Sequence, residues 1–144
     1  MYVECVVVAE QSRARLFIRD RAKKIFRELE DLSNPDARLH EQELMSDKQG
    51  RTYDSRGNNR HAMELKTGPA KQVAIRFAKD ICKQLEYHRN EYEKLVLVAP
   101  PAFLGLLREN LPATLAKRVV RDIDKELVQK KPEDIEKYLR ELPE

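Results

Sequence analysis

The stretch Asp54-Ser55-Arg56-Gly57-Asn58-Asn59-Arg60-His61 has the most chemically suggestive spacing in the chain. Gly and Asn accept positive φ, so Gly57, Asn58 and Asn59 can form a tight, exposed turn. Arg56 and Arg60 bracket that turn with guanidinium groups suited to phosphate oxygens. His61 follows as the one group there able to hold or orient a proton near neutral pH, which makes it the candidate catalytic residue. Such a tip can enter a narrow site and place a water or a phosphate, and the same residues also suit a solvated loop. Ser55 shares the loop with His61 without forming a nucleophile motif.

Other chemistries have weaker signatures. His40, His61 and His88 lack metal-ligand spacing with Cys5 or Cys82, so no metal and no cofactor is expected. Neither a GxGxxG spacing nor a Gly-Lys-Ser/Thr end occurs, which leaves nucleotide-loop chemistry unsupported. Glu4, Asp80, Asp122 and Asp124 are the carboxylates from which a two-metal nuclease site would be drawn. Charged strand and helix edges mostly face water, so that reading ranks last. Cys5 and Cys82 read as buried, reduced thiols.

The net charge of +3 is a difference between blocks of opposite sign. Residues 11–27 carry Arg13, Arg15, Arg19, Arg21, Lys23, Lys24 and Arg27 against only Asp20, a local +6, whereas residues 132–144 sum to −3. Lys48, Arg51, Arg56 and Arg60 face only Asp54 in a second basic cluster. Arg13, Arg15, Arg19, Arg21, Lys23, Lys24, Lys48 and Arg51 are therefore the candidate RNA-binding residues, since such patches suit phosphate backbones. The alternative is an exposed basic face that only solvates the fold.

The elements that must position these groups follow from periodicity. With 144 residues, 41% hydrophobic and 37% charged, the chain suits one domain over 1–144 and is neither collagen-like nor wholly disordered. The apolar run from Leu95 to Leu107 is broken by Pro100, Pro101 and Gly105, too short to cross a bilayer. No membrane association is expected, and a start without a basic leader points to the cytoplasm. Residues 2–9 and 14–18 read as strands. Over 21–32, Ala22, Ile25, Phe26 and Leu29 form a helical stripe that competes with a partial strand alternation, and periodicity favours helix. Residues 33–68 show no period and read as a long working loop. Beyond Gly68, Val73, Ala74, Phe77, Ala78, Ile81, Cys82 and Leu85 repeat at three and four, giving an amphipathic helix. A strand at 95–99, a helix with Phe103, Leu104 and Leu107 inward, a helical turn at 113–117, a strand at 119–123 and an acidic helix from Pro132 complete the order. The expectation is an α/β mixed sheet covered by helices.

Asp47-Lys-Gln-Gly-Arg51, Asp54-Ser55, Arg60-His61-Ala62, Arg76-Phe77-Ala78-Lys79 and the run from Leu95 to Arg108 resemble the bacterial host attachment protein family, over nearly the whole chain. That family is similar to the middle domain of archaeal and eukaryotic peptide-chain release factors. The resemblance implies a ribonuclease H-like, mixed five-stranded sheet, with residues 24–32 as its third strand. It also implies a ribosome- or RNA-associated role, such as ribosome rescue or translation quality control. Release factors promote peptidyl-tRNA hydrolysis with a Gly-Gly-Gln tip ahead of the Arg-Phe-Ala-like helix. The similar place here holds Arg56, Gly57, Asn58, Asn59, Arg60 and His61, with no Gln, so the tip is expected to bind rather than to hydrolyse. A non-catalytic interaction protein, self-associating as a homo-oligomer and acting indirectly on attachment to host cells, is the alternative.

Overall fold

Val3–Glu10 (β1) carries the apolar run Cys5 to Ala9, with Val6, Val7 and Val8 at its centre, and such a run is stable only when covered on both faces. In the computed structural model, which describes residues 2–37 and 68–143, β1 is the central strand. It pairs antiparallel with Arg13–Asp20 (β2) and parallel with Lys94–Ala99 (β4). Ile25–Ser33 (β3) adds to β2 antiparallel, and Val119–Asp124 (β5) adds to β4 parallel. The sheet is therefore mixed and five-stranded, in the order β3-β2-β1-β4-β5. His40, Lys48, Arg51, Arg56, Gly57, Asn58, Asn59, Arg60 and His61 lie outside the described residues.

Alternation along the central strands sends two apolar sets to opposite faces. Cys5, Val7, Leu16, Ile18, Leu95 and Leu97 meet the helices Gly68–Tyr87 (α1) and Pro101–Asn110 (α2) on one face. The predicted stripe on α1 is the buried one: Val73, Phe77, Ile81 and Leu85 are at most 8% exposed, and Phe77 lies 6.1 Å from Phe103 between ring centroids. On α2 the inward residues are Phe103, Leu106 and Leu107, with Leu104 only partly covered, because the helix turns Leu106 rather than Leu104 fully to the sheet. After the short helix Ala113–Ala116 (α3) and β5, the chain crosses to the other face. There Pro132–Arg140 (α4) places Ile135 and Leu139 on Val6, Val8, Phe17, Val96, Val98 and Ile123.

The helix read over 21–32 is not formed. Residues 21–24 are a turn in which Lys24 takes φ 57°, and β3 follows. A bulge explains the misleading periodicity. Leu16 pairs with Glu30 and Phe17 with Glu28, so Leu29 is the extra residue and the alternation changes phase beside it. Phe26 then stacks on Phe17 at 4.7 Å on one face while Leu29 and Leu32 pack toward the other, a spacing that imitates a helical stripe. The third strand implied by the family resemblance is the one present. Cys5 and Cys82 are buried and free, as read from the sequence.

Candidate phosphate-binding groove

Arg13, Arg15 and Arg19 alternate along β2 with Phe17 between them on one face of the sheet, Arg21 follows the strand, and the structure divides these arginines by what they meet. Arg13 donates to Asp31 through Nε at 3.0 Å and Nη2 at 2.7 Å, and this pairing pulls the Asp31 carboxyl below its ordinary range. Arg15 is buried over Phe17 and donates from Nε and Nη2 to Glu28 at 3.0 and 3.1 Å. Its Nη1 reaches the carbonyls of Val128 at 3.1 Å and Lys130 at 2.7 Å. Arg13 and Arg15 thus staple β3 and the segment before α4 to β2, and Arg15 does so with all three of its guanidinium nitrogens engaged.

Arg19 and Arg21 differ because they border open space. Glu4, just before the apolar run of β1, is 3% exposed and pairs with Arg19, 7% exposed, at 3.3 Å. Arg21 Nη2 lies 3.5 Å from the second carboxylate oxygen, on a side chain that is 43% exposed. α4 covers only part of this face. Along it run two adjoining depressions that share Arg19, Arg21 and Arg140, one of about 430 Å³ and the other of about 780 Å³. The first adds Arg121, whose guanidinium donates to the Pro143 carbonyl. The second adds Lys24 from the β2–β3 turn, opposite Glu133 and Glu136 at the start of α4. Arg140 rests on Glu136 at 3.1 Å. Lys23 is exposed on the same turn, with its backbone N–H bonded to Asp20 at 3.2 Å.

The groove therefore brings together Arg19, Arg21 and Lys24 of the sequence-predicted set and adds Arg121 and Arg140, which block counting missed. Each had a signal. Arg121 stands two residues before the buried Ile123 on the same sheet face, and Arg140 follows the inward Leu139 of an acidic helix. A guanidinium group has five N–H donors, so one carboxylate or carbonyl partner leaves capacity for phosphate oxygens. A concave site with several such groups concentrates positive potential between low-dielectric walls.

The carboxylate set for a nuclease is not assembled. Glu4 faces the groove while Asp122 is on the opposite sheet face, bridged to Arg108 of α2 at 3.5 Å, and Asp80 is exposed on α1. Among the described residues no three His, Cys, Asp or Glu side chains gather where they would hold a metal ion. His88 is a structural tie at the end of α1. Its Nδ1 is 2.5 Å from Glu91 and its Nε2 is 2.9 Å from Glu30 of β3. Burial opposes its charge, but these two hydrogen bonds and the adjacent carboxylate charges outweigh burial and raise its pKa above the ordinary value.

None of the described helices is long and apolar enough to cross a membrane. Residues 5–139 match a family model described as a protein required for attachment to host cells. No curated protein matches the chain.

Proposed function

The chain belongs to the host attachment family, and from that premise we propose that it is a cytoplasmic RNA- or ribosome-associated factor that binds phosphates and catalyses nothing itself. The observation that carries this reading is the convergence of Arg19, Arg21, Lys24, Arg121 and Arg140 on the partly covered face of the sheet. Arginine donors gathered in a concave site suit the several oxygens of a phosphate, and affinity built on such contacts falls as salt rises. The role is ribosome rescue or translation quality control, with the 48–61 segment as a second basic contact. The ribonuclease H-like reading belongs to the same proposal, supported by a sheet of three antiparallel strands extended by two parallel ones.

Sedimentation of the purified protein with ribosomes tests this. Association at low salt that weakens steeply as salt rises is the expected result. The family description favours a second reading, a non-catalytic interaction protein acting indirectly on attachment to host cells. On that reading the protein stays in the supernatant at every salt concentration.

A further inference from the structure

The 430 Å³ depression has a composition that general phosphate binding does not require. Arg19, Arg21, Arg121 and Arg140 share it with only Glu4, yet its remaining wall is apolar, including Tyr2, Val120 and Leu142. Tyr2 is 42% and Val120 46% exposed, large apolar side chains presented to solvent beside a cluster of cations. Its volume falls within the roughly 300–1,000 Å³ of small-ligand sites. An inorganic anion would use only the arginines, whereas a ligand with an anionic head and a flat body would use both parts.

We infer that this depression binds a single nucleotide, its phosphate on Arg121 and Arg140 and its base against Tyr2. The buried Glu4–Arg19 pair at 3.3 Å forms the charged floor of the site. Such a pair is costly to desolvate and contributes little net stability, so its presence beside the apolar run of β1 suits a positioning role. Glu4 holds Arg19 at a fixed place beneath the ligand. Aromatic rings take nucleobases by stacking with little dependence on base identity, so the site accepts purines and pyrimidines alike. The choice of a nucleotide among organic phosphates rests on the proposed RNA association, and the binding of an organic phosphate does not.

Titration calorimetry of the full chain with adenosine monophosphate, uridine monophosphate, adenosine and inorganic phosphate tests the inference. Both monophosphates are expected to bind at least tenfold more tightly than adenosine or inorganic phosphate. Arg121→Gln should weaken the monophosphates tenfold or more with an unchanged thermal midpoint. Tyr2→Ala should weaken the monophosphates and leave inorganic phosphate unaffected. Equal affinity for inorganic phosphate and the monophosphates, no saturable monophosphate binding, or monophosphate binding unchanged in both variants would overturn it. Ribosome sedimentation in parallel separates the two proposals: association without mononucleotide binding overturns this inference alone, and mononucleotide binding without association overturns only the RNA reading.

Discussion

His88 shows how one side chain turns burial and hydrogen bonding into pH dependence. Only the imidazolium can donate from both ring nitrogens to Glu91 and Glu30. Around it are Arg27, which lies 3.4 Å from Glu91, and Tyr87, whose ring meets the imidazole edge-on. Because its folded pKa lies above the ordinary value of 6.5, its contribution is complete below that value and is lost as pH rises through the higher folded one. His88→Gln should therefore cost about 1–2 kcal/mol near pH 6, the carboxylate partners being partly exposed. The cost should fade in alkaline buffer, and denaturant unfolding across pH measures it. Lys24 offers a complementary case, since its positive φ favours glycine. Lys24→Gly is expected to hold or raise stability by up to about 1 kcal/mol while weakening RNA binding, a separation that thermal melts and filter binding would resolve.

At the scale of elements, α1 and β3 mark what the sequence did and did not reveal. The stripe on α1 was legible because an uninterrupted helix packed on a sheet keeps its period, and Phe77 is 3% exposed as that period requires. Phe77→Ala should destabilise by about 3–5 kcal/mol in denaturant unfolding. β3 was legible only through resemblance, since the bulge at Leu29 moves its apolar residues from one face to the other mid-strand. Charge blocks leave out tertiary partners for a related reason. The +6 of residues 11–27 stops just before Glu28 and Asp31, which β3 folds back onto Arg15 and Arg13. Arg15→Gln should accordingly cost about 2–4 kcal/mol, because Glu28 and two carbonyls lose their donor. Arg121→Gln should leave stability within about 0.5 kcal/mol and reduce RNA affinity instead. The opposite pattern in melts and binding isotherms would reverse the assignment of these two arginines.

For the whole molecule, the sheet separates two jobs. One face is sealed by α1 and α2 around the larger core, and the other leaves an arginine groove beside α4. The tip containing His61 belongs to the segment between β3 and α1, outside the described residues, and its expected role is contact rather than chemistry. Purified ribosomal complexes should therefore release no peptide with the parent protein, and His61→Ala should change nothing in that assay. If the groove recognises phosphates, the affinity for single-stranded RNA must depend on salt through its arginines. Each phosphate contact contributes a slope of roughly −0.7 in the logarithm of affinity against the logarithm of salt. Replacing Arg21 and Arg121 together by Gln should lower affinity and make the slope shallower by roughly 1.4, whereas affinity and slope equal to those of the parent protein would rule out the groove as the phosphate contact.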